Sequence, residues 1–147
     1  MDYAYKIATL NINGISASTR IHMLEKFLYK HDIDLALLQE VSTTKINTIR
    51  RYTFYINMGA EGRGTAILAK DCYILTNIQR ITTGRGMSAH FNVIRIINNC
   101  ASSGSKKKRE RDEFYNGHVA RLLMHSSNNI MLAGDFVFSQ PPTAQVP

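Results

Sequence analysis

The stretch Asp34-Leu35-Ala36-Leu37-Leu38-Gln39-Glu40 constrains the fold more than any other part of the chain. A short, unbroken apolar run that stops at an amide and a carboxylate reads as a buried strand with a polar C-terminal end. Around it the pattern alternates strands and helices. Residues 5–12 (YKIATLNI) are strand-like and end at Asn13-Gly14, a turn signal. Over residues 20–31, Ile21, Leu24 and Leu28 recur at helical spacing, flanked by Met23 and Phe27, with Ser18 or Thr19 as N-cap. Tyr52–Met58 and residues 65–69 are two more strands, joined by the Gly-rich link GAEGRG, and residues 89–97 alternate as another.

A basic, Ser/Gly-rich stretch, ASSGSKKKRERDEF, then leads into a helix expected over residues 109–125. Its apolar stripe is Tyr115, Val119 and Leu122, and Gly117 weakens it by roughly 1 kcal/mol relative to Ala. Residues 129–133 are the last strand, closed by Gly134-Asp135-Phe136. The tail 139–147 (SQPPTAQVP) has three prolines in nine residues and is expected to be disordered. No internal repeat and no second domain is legible.

At 147 residues the chain is one domain at most. Hydrophobic residues at 44% and charged residues at 20% fit a globular chain and exclude compositional disorder. No apolar run approaches the roughly 18 residues of a membrane span. The N-terminus carries Asp2 and goes straight into a strand pattern, so it does not read as a signal peptide. Cys72 and Cys100 lie far apart without CxxC spacing, which leaves an intracellular, reducing location as the default; nucleus or cytoplasm is open. The net charge of +7 and a pI near 9.6 suit a polyanionic partner without requiring one. Residues 106–121 concentrate six basic and three acidic side chains, a patch of which Lys106, Lys107, Lys108 and Arg109 are the candidate phosphate contacts.

Three strand ends carry polar residues that an apolar strand does not require: Asn11, Glu40 and Asp135. Strand ends along one edge of a layered sheet are a common place for a site. A hard cation such as Mg²⁺ takes oxygen ligands, usually one or two carboxylates with waters and substrate phosphates. One amide and two carboxylates meet that demand, although each alone reads equally well as turn or cap chemistry.

Seven segments in order resemble the endonuclease domains of LINE-type (non-LTR) retrotransposons, within the endonuclease/exonuclease/phosphatase superfamily. They are Thr9-Leu10-Asn11-Ile12-Asn13-Gly14, Leu38-Gln39-Glu40, Gly62-Arg63-Gly64-Thr65-Ala66-Ile67-Leu68 and Gly84-Arg85-Gly86-Met87. Then follow Ile97-Asn98-Asn99-Cys100-Ala101-Ser102-Ser103-Gly104, the charged helix start Arg109-Glu110-Arg111-Asp112-Glu113-Phe114-Tyr115, and Leu132-Ala133-Gly134-Asp135-Phe136. The resemblance implies an α+β fold, a partial four-layer α/β/β/α sandwich made mostly of the first sheet and its helices. It implies an incomplete domain over residues 1–138. It also implies Mg²⁺ (or Mn²⁺) as cofactor and DNA as substrate, nicked to leave a 3′-hydroxyl. Glu40 would bind the metal with Asn11 beside it, Asp135 would orient or activate the attacking water, and Arg85 would join the basic residues on the nucleic acid.

The chain departs from the family pattern at Cys100, where the family has a tyrosine, at Ser102, where it has a proline, and at Val137, where it has an asparagine. None of the five histidines stands in the Ser-Asp-His context of the family's C-terminal half. A removed phosphate donor commonly costs about a hundredfold in rate, so the resemblance implies weak or lost hydrolysis. The alternatives are a non-catalytic nucleic-acid-binding remnant and, less in keeping with the motifs, a phosphatase of the same superfamily. A first sheet without its partner would also leave an apolar face bare, with self-association through that face as the expected outcome.

Overall fold

Strand β2 (Leu35–Val41) lies inside a four-stranded sheet whose order is β1-β2-β4-β3, with β1 Ile7–Asn11, β3 Tyr52–Met58 and β4 Gly64–Lys70. The computed structural model describes residues 4–13, 18–42, 49–60, 62–81, 84–100, 108–124 and 129–135. β1 runs parallel to β2, pairing Ile7 with Leu35 through Asn11 with Gln39, and β4 runs antiparallel to it. Ala36 and Leu38 of β2 face one side, where they pack with Ile21, Leu24 and Leu28 of helix α1 (Ser18–Lys30). Leu35 and Leu37 face the other side, against Ile67, Met87, Ala89, Phe91 and Ile96. Burial on both faces is why the strand reads as continuously apolar.

Helix α1 presents its 21/24/28 stripe to the sheet. It ends in a Schellman turn: Ile33 N–H donates to the Leu28 carbonyl at 3.0 Å, Asp32 N–H donates to the Tyr29 carbonyl at 3.2 Å, and Asp32 takes φ 50°. The turn delivers Asp34 to a partly buried position where its carboxylate accepts from Lys6 N–H (2.8 Å), Lys70 Nζ (3.0 Å) and the Tyr73 hydroxyl (3.2 Å). Burial alone would raise this carboxyl. The three donors outweigh it and hold Asp34 below the usual carboxylate range.

A second four-stranded sheet has the order β5-β6-β7-β8, with β5 Thr76–Arg80, β6 Gly86–Phe91, β7 Ile94–Cys100 and β8 Ile130–Asp135. β6 and β7 are antiparallel, and β7 and β8 are parallel. The single strand expected at 89–97 is therefore two strands joined at Asn92-Val93, where Asn92 supplies the positive φ of a tight hairpin (53°). Without glycine in the turn the break is silent in the sequence. β5 was not expected at all, because it is a largely exposed, polar strand at the edge of its sheet.

The helix expected over 109–125 is α2 (Lys108–Glu113), a π-helical segment (Phe114–Val119) and α3 (Ala120–Met124). The wider π turn places Phe114 and Val119, five residues apart, on one face with Ile81. Phe114 also sits over Gly86, where a Cβ would meet its Cζ at 3.4 Å. Tyr115 and Leu122 pack at the border of this cluster.

The sandwich class is as expected, but its second layer is larger than expected. Four strands of the second sheet are present, and Leu35, Leu37 and Ile67 beneath them are fully buried. The first sheet's inner face is covered, so the ground for expecting self-association through it falls away. Among the described residues no helix is long and apolar enough to cross a membrane. The expectations for Ser102, Lys106, Lys107, Phe136, Val137 and the tail lie outside the described residues.

Candidate active site

Asn11 and Asp135 end two strands of different sheets, and the sandwich brings them into contact. Asn11 Nδ2 donates to Asp135 Oδ2 at 2.7 Å, across 124 residues of sequence. The other side of the same amide is also fixed, since Asn11 Oδ1 accepts from Asn13 N–H at 2.9 Å. The turn chemistry and the long-range contact are thus one arrangement: the Asx turn orients the amide that reaches the carboxylate. Asp135 is set in place by Gly134, which has φ 136° and lies so close to β7 that a Cβ would overlap the Asn99 carbonyl.

Glu40 reaches the same corner by an irregularity. β2 and β4 pair Leu38 with Ala66 and then Val41 with Gly64, so β2 carries one residue more than its partner. Glu40 takes φ 54°, a left-handed conformation that costs a non-glycine residue about 1–2 kcal/mol. By strict alternation position 40 would point with Ala36 and Leu38 into the helix-side core. Instead Val41 fills that core, and Glu40 stays 26% exposed with Arg63 Nη1 at 3.8 Å. Its neighbour Gln39 is the partner of Asn11, and Ile12 N–H closes the pair by donating to the Gln39 carbonyl at 3.1 Å.

Cys100 lies on β7 at the same end of the sandwich. It is opposite Asp135 in the β7–β8 ladder, is 4% exposed, and its N–H donates to the Arg85 carbonyl at 2.7 Å. Burial pushes its thiol up from the ordinary value. The Arg85 charge pulls it down, the Asp135 and Glu40 carboxylates push it up, and the Glu40 N–H pulls it down. One buried thiol therefore feels both carboxylates and the arginine together.

The structure brings Asn11 and Asp135 into contact, sets the Arg85 carbonyl on Cys100 opposite Asp135, and pairs Glu40 with Arg63. It does not bring Lys108 and Arg109 to them by any described contact. Both stand on the exposed start of α2 in local ion pairs, Lys108 with Asp112 at 3.5 Å and Arg109 with Glu113 at 3.1 Å. Such exposed pairs contribute little. Arg63 belongs to the site and was quoted only as part of a motif; the Gly62-Arg63-Gly64 link was the signal that marked it.

Among the described residues no three His, Cys, Asp or Glu side chains are grouped as a metal cage. The polar groups at the corner are instead two carboxylates and an amide whose oxygen accepts from Asn13 N–H. That fits Mg²⁺ or Mn²⁺, which keep waters and bind through one or two carboxylates, and it does not fit a closed structural metal.

No family model matches the chain, and no curated protein matches it. Solved structures do match. An AP endonuclease from Archaeoglobus fulgidus superposes with a TM-score of 0.72 at 20% identity, over 90% of this chain and 57% of its own. A humanized D. rerio TDP2 gives 0.71 at 16% identity, over 89% and 61%. The 3′ phosphatase NExo from Neisseria, bound to product DNA hairpin, gives 0.71 at 17% identity, over 90% and 58%. The chain spans about three fifths of the length of these structures. What it shares with them is the fold: two mixed sheets packed face to face with helices outside, the endonuclease/exonuclease/phosphatase architecture.

Proposed function

We propose that this chain is a retrotransposon-type endonuclease domain piece whose corner at Asn11, Glu40 and Asp135 binds one Mg²⁺ or Mn²⁺ and acts on DNA phosphodiester bonds, with weak hydrolysis. The observation that supports this reading is the 2.7 Å hydrogen bond from Asn11 Nδ2 to the Asp135 carboxylate across the two sheets, with the strained, left-handed Glu40 next to Gln39, the ladder partner of Asn11. The DNA-processing neighbours support the substrate class.

Glu40 would hold the ion, which when bound would neutralise charge on the phosphate oxygens. Asp135, held by the Asn11 amide, orients a water and takes its proton. Arg63 and Arg85 bring positive charge to the rim. Cys100 supplies a buried, neutral thiol where a phosphate-binding phenol would assist, so the rate is low.

The test is Mg²⁺-dependent nicking of supercoiled plasmid, together with salt-dependent DNA binding. Slow nicking that disappears in Glu40→Gln supports hydrolysis. Binding without nicking, indifferent to Glu40→Gln, supports the second reading, a nucleic-acid-binding remnant, which the arginines at the rim favour.

A further inference from the structure

The side of β7 that faces the first sheet is apolar at Ile94 and Ile96 and then, two residues on, presents Asn98. Asn98 is fully buried, and its described side-chain hydrogen bonds cross to the other sheet. Its Nδ2 donates to the Leu38 carbonyl at 3.0 Å and to the Ala66 carbonyl at 2.9 Å. Its Oδ1 accepts from Gln39 Nε2 at 2.9 Å. Leu38 and Ala66 are the last regular pair before the extra residue in β2, the place where the ladder between β2 and β4 breaks. Gln39, the residue between that pair and Glu40, is buried, and its amide nitrogen also lies 3.0 Å from Thr9 Oγ1 and from the Leu37 carbonyl.

A buried carbonyl without a partner is costly. Where a ladder is interrupted, the groups at its edge must find other donors or the strand will slide back into regular pairing. Regular pairing here has a definite consequence: every residue after Leu38 would change face, Val41 would leave the helix-side core, and the Glu40 carboxylate would enter it. We infer that Asn98 is a positioning residue for Glu40: from the second sheet it satisfies the carbonyls at the interruption and so holds the extra residue in β2, keeping Glu40 left-handed and its carboxylate at the ion. The inference deepens the proposed function and rests on it for what Glu40 does, but not for where Glu40 points.

Asn57 is the control. It is also a buried amide of the same sandwich end; its backbone pairs with Thr65 of β4, but its side-chain Nδ2 donates to the Ile81 and Gly86 carbonyls and not to the Leu38 or Ala66 carbonyl. Asn98→Leu and Asn57→Leu should both lower stability, so stability does not decide. Two readouts do. The first is the backbone of Glu40, followed by its ¹³C shifts and HN–Hα coupling in the folded chain. Asn98→Leu should move Glu40 out of the left-handed signature, and Asn57→Leu should not. The second is Mn²⁺ affinity by titration calorimetry. It should weaken about tenfold to a hundredfold in Asn98→Leu, the range for losing a group that orients a ligand, and less than about threefold in Asn57→Leu, the control that leaves the ligand's orientation alone.

If Asn98→Leu fails to fold, Asn98→Ser, which keeps one donor and leaves room for water, is read in the same way. An unchanged Glu40 signature in a folded Asn98 variant overturns the inference. Absence of Mn²⁺ binding that depends on Glu40 in the unaltered chain overturns the metal reading instead, and the positioning claim is then decided by the backbone signature alone.

Discussion

At one end of the space between the sheets, Tyr5, Tyr73 and Phe91 meet edge to face, with ring centroids 4.8–5.8 Å apart. At the other end the same layer is made of Gln39, Asn57, Thr65 and Asn98. The aromatic end is capped by Lys70, which bonds Asp32 at 2.6 Å and Asp34 at 3.0 Å. The amide end carries the extra residue in β2, the left-handed Glu40 and the buried Cys100. One half of the interface buries apolar surface, which is where stability comes from. The other gives up apolar packing for directional hydrogen bonds, which hold carboxylates where an oily core would not accept them. A sandwich of this kind separates its anchor from its chemistry by the length of a strand.

That division can be broken most directly at Phe91, which is 1% exposed. Phe91→Ala should cost about 3–5 kcal/mol in denaturant unfolding while leaving Mn²⁺ binding by the folded fraction unchanged. A loss below 1 kcal/mol would mean that the aromatic end is not the anchor. Gly134→Ala comes next. Its Cβ would overlap the Asn99 carbonyl at a φ that disfavours a side chain, so it should destabilise by roughly 1–3 kcal/mol and also weaken Mn²⁺ binding by displacing Asp135.

The charged cap of the aromatic end gives a pH signature. Asp34 is held below the usual carboxylate range, so its contribution is present above the unfolded-state value near 4 and is lost as pH falls through the lower folded value. Lys70 is raised, chiefly by its bond to Asp32 and against the effect of burial, so its contribution is present below about 10 and is lost only at strongly alkaline pH. Thermal midpoints should therefore fall on the acid side below about pH 4, and Asp34→Asn should flatten that limb. An acid limb unchanged in Asp34→Asn would remove this group from the anchor. The smallest effect belongs to Glu40→Gly, because glycine accepts φ 54° freely. It should be neutral to about 1 kcal/mol stabilising, where the same change in a regular strand would destabilise, and it should abolish Mn²⁺ binding. Equilibrium unfolding and calorimetry on the same sample check both halves of that statement.

Helix α1 and the buried strand β2 were the legible part of the chain. Ile21, Leu24 and Leu28 mark α1, and Leu35–Leu38 mark a strand buried on both faces, because periodicity follows from which faces touch apolar neighbours. Asn11, Glu40 and Asp135 stood out as polar residues at strand ends, and of these Asn11 and Asp135 are in contact. What lay hidden was long-range or backbone in origin. Nothing in Leu38-Gln39-Glu40-Val41 announces an extra residue, since the parity change shows only once Val41 is seen beside Ala36 and Leu38. Asn98 reads as one more polar residue in a strand until its partners on the other sheet are known. The Asn92-Val93 hairpin lacked glycine, and β5 lacked apolar alternation, so half of the second sheet left no pattern to count.

The π-helical segment Phe114–Val119 has a consequence for kinship by sequence. A relative that winds the same stretch as plain α-helix needs one residue fewer, so the two sequences would differ in length in the middle of a helix. Deleting Gly117, where an added Cβ would meet nothing within 4 Å, would let the stretch wind as plain α-helix with Leu122 still beside Phe114 and Val119. Removing a residue outside the wide turn would instead rotate the downstream part by about 100°, so the wide turn is the one place in this outer helix where the chain can change length and keep its apolar face.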